Sequence, residues 1–299
     1  GDGARRRGLE QLALPVNENS RVHGASMNQS AEIGPWALVT GASAGIGAEF
    51  CRQLAGRGYS LVLVARRRDR LEELAAGLKN QHPIDCLVVP LDLARGGAAA
   101  NLESALAEAS IEIEFLVNNA GYGVPGLLTE PAWQVHADSL NVMLNSVVEL
   151  TWRLLPGMQK NRRGFIVNVA SLAGLVPGSA RHTLYGATKA FLIRFSESLA
   201  SENQDTGVAV SALCPGFTYS EFHDVLGIRD QVSQMPSWMW MEADEVVRYG
   251  IESVVRKPPR VVAVPGRANR FIAMLARKLP QRWALAMTQR EARRWRKQD

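Results

Sequence analysis

The sequence predicts an α/β fold: a doubly wound parallel sheet of about seven strands in a single domain. Three observations carry that reading. From Trp36 onward, short β-branched runs alternate with helical patterns, the rhythm of a parallel sheet wrapped by helices. A glycine-rich turn, Thr40-Gly41-Ala42-Ser43-Ala44-Gly45-Ile46-Gly47, joins the first such run to the first helical pattern. The 299 residues, 46% hydrophobic and 21% charged, suffice to bury a sizeable core without disulfides or metals.

Strands are expected at 36–40, 60–65, 85–90, 113–118, 164–170, 207–213 and 260–264, runs rich in Val, Leu, Ile or Phe. Runs apolar at nearly every position suit strands buried on both faces. Helices are expected to start near Gly45, Asp69, Ala98, Pro131, Thr183 and Glu242. Seven strands in this rhythm make a Rossmann-type sheet. No repeat or low-complexity linker divides residues 35–265, which read as one domain.

From the N-terminus, the first chemical signal is the turn after the first strand. Glycines let the backbone turn sharply and approach a diphosphate, while the helix N-terminus offers free N–H groups and partial positive charge. Gly41, Ser43, Gly45, Ile46 and Gly47 are therefore candidate dinucleotide contacts. The next strand ends Ala65-Arg66-Arg67. An acidic residue there would select NAD through the ribose 2′-hydroxyl. Arg66 suits a 2′-phosphate instead, so NADP is expected; Arg68 and Arg70 better fit a solvated helix start. Asp92, after the third strand, fits two readings, an adenine partner or a helix cap.

Tyr185 and Lys189 stand four residues apart at the start of a predicted helix, on one face. The lysine is expected to favour the phenolate and lower the phenol pKa from about 10. A phenol tuned that way exchanges protons with an alcohol or carbonyl oxygen near neutral pH. Ser171, at the carboxyl end of a strand, adds a hydroxyl.

Residues 216–241 form a connection longer than usual and carry Phe217, Tyr219, Phe222, Trp238, Met239, Trp240 and Met241. Such loops cover a ligand, complete the core or make a subunit contact. Residues 266–299 form a basic amphipathic tail broken at Pro280. From Arg256 onward, 13 Lys/Arg oppose Glu291 and Asp299, a net of +11, which leaves −6 for the rest of the +5 chain. The tail suits an anionic membrane surface, or packing on the domain or on a second subunit. No nucleic-acid-binding module accompanies the charge. Residues 1–34 show little periodicity and are expected to be a disordered extension; Met27 lies just before the first strand.

Cys51, Cys86 and Cys214 form no CxxC pair and read as free thiols of a reducing, cytoplasmic compartment. No zinc site is visible, and His136 and His223 lack metal-ligand spacing with acidic neighbours. No apolar run is long enough for a spanning helix.

Together, TGASAGIG at 40–47, Asp92, NNAG at 118–121, Ser171, YGATK at 185–189 and Pro215-Gly216 resemble the short-chain dehydrogenase/reductase family in kind and order. The resemblance implies that Asn119, Ala120 and Gly121 line the adenosine-ribose side of the cofactor. It implies that Pro215, Gly216 and Thr218 flank the nicotinamide and diphosphate. It makes Tyr185 the general acid of reduction and Lys189 the holder of the nicotinamide ribose. Ser171 becomes a donor to the substrate oxygen.

Two departures stand out. Ser171 and Tyr185 are 14 residues apart, one more than is usual in the family. Met143 occupies the position where the family usually has a proton-relaying asparagine. Either a local helical bulge turns Asn145 inward, or the relay asparagine is absent. The expected function is an NADP-dependent ketone or aldehyde reductase, or alcohol dehydrogenase, acting on an apolar substrate, in a homo-oligomer. The alternative is an NADP-binding redox sensor or scaffold with little turnover.

Overall fold

The computed structural model describes residues 34–219 and 236–280, with 282, 283 and 286. The expected N-terminal extension, Phe222, His223 and most of the tail beyond Pro280 lie outside the described residues. The strands are β1 (Trp36–Thr40), β2 (Ser60–Ala65), β3 (Cys86–Pro90), β4 (Ile113–Asn118), β5 (Gly164–Val169), β6 (Val208–Leu213), β7 (Phe217–Thr218), β8 (Trp240–Met241) and β9 (Val262–Ala263). Seven pair in the order β3-β2-β1-β4-β5-β6-β9, every pair parallel. The winding reverses between β1 and β4. At such a switch point the loops leaving the two strands part and open a crevice.

The helices are α1 (Gly45–Ala55), α2 (Arg68–Gln81), α3 (Ala98–Glu108), α4 (Trp133–Leu140), α5 (Ser146–Lys160), α6 (Thr183–Glu202), α7 (Ala243–Val255) and α8 (Arg267–Lys278). Alternate strand residues face opposite sides of the sheet. Leu38, Val62, Val64, Leu116, Ile166 and Val210 pack with Leu102 and Leu106 of α3, Leu150 and Met158 of α5, and Leu199 of α6. On the other side α1 and α7 pack on one another and on the sheet, burying Phe50, Leu54, Val246, Val247 and Ile251. Each such side chain stabilises by roughly 1.5–3 kcal/mol, whereas an exposed ion pair such as Arg52–Glu49 gives about 0–1 kcal/mol. The core, not surface charge, holds the frame.

Several expected boundaries shorten, each for a local reason. Asp85 donates its N–H to the Ser60 hydroxyl, so β3 starts at Cys86. Ala170 donates back to the Asn168 carbonyl, closing a turn that ends β5. Gly207 has φ +82°, a left-handed conformation outside any strand. The edge strand β9 pairs only at Ala212 and Leu213, between Pro258-Pro259 and Pro265, which cannot donate to a ladder. The 216–241 connection also holds a parallel pair that was not expected, β7 with β8, aligning Phe217 with Trp240. Tyr219 stacks on Trp240 at 4.7 Å.

Candidate active site

The glycine turn folds as its composition requires. Gly41 and Gly45 take φ +68° and +53°, and a Cβ on Gly47 would lie 2.2 Å from the Gly41 carbonyl oxygen. No side chain caps α1, so its leading N–H groups stay available to a ligand. Thr40 Oγ accepts from the backbone N–H of Asn119 (2.9 Å) and of Ala120 (3.0 Å). The Asn119 amide donates back to the Thr40 carbonyl at 2.9 Å. Asn119 thus braces the turn from the β4 loop, while Ala120 and Gly121 line the cavity beside it.

Arg66 and Arg67 lie exposed at the cavity rim. Arg67 donates to the Ser43 hydroxyl at 3.1 Å, which makes it a second cationic candidate beside Arg66. Asp92 also lines the cavity. Its carboxylate accepts from the Ala94 N–H at 3.1 Å and pairs with Arg95 at 3.5 Å. It therefore caps the turn after β3, and α3 begins later with Gly97 at its cap.

At the far end of the cavity, Ser171 caps the 3-10 turn Leu172–Gly174, its Oγ accepting from Ala173 N–H at 3.1 Å. That turn packs tightly on α6: a Cβ on Gly174 would lie 2.6 Å from the Lys189 carbonyl carbon. The Ser171 hydroxyl also lies close enough to the Tyr185 phenol to pull its pKa down. Between this turn and α6 runs the 175–182 loop, whose Val176–His182 stretch lines the cavity. Pro215, Gly216 and Thr218 form another wall, and Pro215 accepts from the Leu172 N–H at 2.8 Å.

Burial shifts both titrating groups toward neutrality. The Tyr185 phenol is pushed above its ordinary value by burial, with the Ser171 hydrogen bond pulling against it. The Lys189 ammonium is lowered by burial to about 8. The expected depression of the phenol by the lysine is therefore corrected. Lys189 Nζ donates to the Val169 carbonyl at 2.7 Å and sits 5.6 Å from the tyrosine ring centre, and Ser171 supplies the opposing pull.

The helix between α4 and α5 contains the bulge the sequence allowed, a π turn over Asn141–Asn145. It does not bring Asn145 inward. Asn145 is exposed and donates to Asn141 Oδ1 at 2.7 Å, while Asn141 donates to the Ala94 carbonyl. Met143 is buried. A Cβ on Gly121 would come 3.4 Å from its sulfur and 3.7 Å from Lys189 Nζ, so the Met143 thioether and the Lys189 amine both approach Gly121, and no asparagine amide stands in the expected relay position. Behind the site, Asn118 donates to Asn168 Oδ1 (2.8 Å) and Asn168 to Ser196 Oγ (2.9 Å). This buried chain ties β4, β5 and α6 together.

One cavity of about 1150 Å³ contains every site residue named from the sequence except Gly47, which shapes the turn from behind. Sequence reading missed Asn269. This buried residue of α8 lines the same cavity, and its amide donates to the Pro265 carbonyl at 3.0 Å. A Cβ on Gly216 would lie 2.5 Å from its Oδ1. A neutral polar residue four before Ala273, on the buried edge of a basic helix, was the available signal. Among the described residues, no group of three or more His, Cys, Asp or Glu gathers to hold a metal ion.

Residues 35–228 match the short chain dehydrogenase family. Over 207 residues the chain is 33% identical to the very-long-chain 3-oxoacyl-CoA reductase of Coprinopsis cinerea, covering 68% of this chain and 60% of that protein. It spans about three fifths of the length of the curated relatives it matches. A short-chain dehydrogenase from Sphingobium yanoikuyae, solved in complex with NADPH, superposes with a TM-score of 0.72 and 32% identity, covering 80% of this chain and 91% of that one. The bulky-bulky ketone specific alcohol dehydrogenase from Comamonas testosteroni gives 0.67 and 29%, covering 86% and 92%.

Proposed function

This chain belongs to the short-chain dehydrogenase family, and from that premise we propose that it is an NADP-dependent oxidoreductase interconverting an apolar ketone or aldehyde with its alcohol. The observation that carries the reading is one cavity that joins a glycine-cradled helix N-terminus and two arginines to the Ser171, Tyr185 and Lys189 cluster. The uncapped start of α1 and the tight turn that Gly47 permits against the Gly41 carbonyl fit a diphosphate, and Arg66 and Arg67 fit a 2′-phosphate. The bound dinucleotide supplies the hydride.

The chain's own residues orient and protonate. Charge develops on the substrate oxygen as the hydride arrives, and hydroxyl donors already in place stabilise it. Tyr185 gives its proton to that oxygen, and Ser171 holds the oxygen by a hydrogen bond. Lys189, freed from the Val169 carbonyl, holds the ribose hydroxyls and adds positive charge. In the reverse direction Tyr185 takes the proton back. Phe217, Met239 and Val176 line the substrate end, which supports an apolar substrate. The 3-oxoacyl and bulky-ketone relatives point the same way.

A homo-oligomer contact is proposed on α5 and α6, which expose Val148, Trp152 and Phe191. A second reading, an NADP-binding sensor or scaffold with little turnover, draws on Met143 in the relay position. Purified protein given NADPH or NADH with a panel of 3-oxoacyl thioesters and bulky ketones separates the two. Ketone-dependent oxidation of NADPH, weaker with NADH, is expected. Tight cofactor binding without turnover of any ketone favours the sensor.

A further inference from the structure

α8 has two faces of opposite character. Its inner edge, Asn269 and Ala273, is buried, and Asn269 reaches the cavity. Its outer side leaves Phe271 61% and Leu275 52% exposed, with Met274 between them. Arg267, Arg270, Arg277 and Lys278 are exposed around these apolar groups. The 3-10 turn Ser237–Met239 packs against α8, adding Trp238 at 62% exposure to the patch and Met239 to the cavity wall. No Asp or Glu occurs from Ser253 to Arg290, so the segment carries no acidic side chain of its own.

We propose that this outer face of α8, with Trp238, docks the protein on an anionic lipid bilayer and sets the wall of the cavity against that surface. Charge complementarity selects the occupant. A second copy meeting the first through this face would oppose one cationic patch to another. An acidic bilayer offers both what the basic groups need and an apolar layer shallow enough for Phe271, Met274, Leu275 and Trp238. Each basic group near such a surface strengthens partitioning by roughly fivefold, and salt weakens it. Among the described residues no helix is long and apolar enough to cross a membrane, and the contact proposed through α8 is peripheral. An apolar substrate dissolved in the bilayer would then meet the cavity at its edge, a consequence that rests on the function proposed above.

The test is co-sedimentation of the full chain with vesicles of phosphatidylcholine alone and of phosphatidylcholine with phosphatidylserine, at low and high salt and without substrate. Binding to the acidic vesicles should exceed binding to neutral ones by at least about tenfold and fall with salt. Phe271→Ser with Leu275→Ser, and separately Arg267→Gln with Arg277→Gln, should each lower it by about tenfold or more. Both double variants should keep the wild-type rate on a small water-soluble ketone. Equal binding to both vesicles, no binding, self-association through this face in place of binding, or variants that bind as wild type would overturn the proposal. Vesicle binding by a chain that reduces no ketone would keep the docking and sink the reductase reading.

Discussion

On α6 Lys189 is buried and Tyr185 half-buried, and the loss of solvent moves their protons in opposite directions. The phenol, raised by burial against the pull of Ser171, stays protonated through the neutral and mildly alkaline range. The ammonium, lowered to about 8, loses its charge as pH rises through that value. Reduction needs the first protonated and the second charged, so both requirements hold below about 8 and only the second is lost just above it. The expected rate of carbonyl reduction is flat at neutral pH and falls on the alkaline side with a midpoint near 8, measured with the reduced cofactor saturating. An alkaline limb at or above the ordinary lysine value would mean that Lys189 is not the group that titrates. These residues were legible in the sequence because their chemistry is local: a phenol and an amine one helical turn apart, with a hydroxyl at a strand end. Their pKa directions were not, because burial is a property of everything packed around them.

At the scale of elements, the turn between β1 and α1 is where sequence and geometry agree most closely. Gly47 lies so near the Gly41 carbonyl that Gly47→Ala must push the turn open or shift α1. The expected result is at least a roughly tenfold loss in NADPH affinity and a destabilisation of about 1–3 kcal/mol from overpacking. Fluorescence titration and thermal melting measure the two effects separately. Unchanged affinity would place the dinucleotide elsewhere. Strand cores were readable from composition, whereas their ends were set by single contacts: Asp85 on the Ser60 hydroxyl, the back-bond of Ala170, the left-handed Gly207. The π turn at Asn141–Asn145 shows the same limit. Helical periodicity named the alternatives, but only packing decided that Met143 would be buried against Gly121 while Asn145 stayed in solvent.

Across the whole molecule, the site is closed by a residue far from its motifs in sequence. Asn269 of α8 fits against Gly216 and holds the Pro265 carbonyl. Asn269→Ala would leave that carbonyl without its partner, a cost of about 1–3 kcal/mol, and would open the wall beside Gly216. A lower melting temperature with weaker NADPH binding is the expected pair of effects. A lower melting temperature alone would make Asn269 a structural clasp only. No spacing rule links positions 216 and 269, so this contact lay beyond what the chain could announce, although the sheet that makes it was announced by alternation and one glycine turn. The central claim is that this cavity carries out hydride transfer with Tyr185 as the acid. Its most direct test is the rate of NADPH oxidation by an apolar ketone in wild-type protein and in Tyr185→Phe, with NADPH affinity measured on both. A loss of about 10²–10⁴-fold in rate at unchanged affinity is expected, whereas a Tyr185→Phe protein as active as wild type would rule out Tyr185 as the acid.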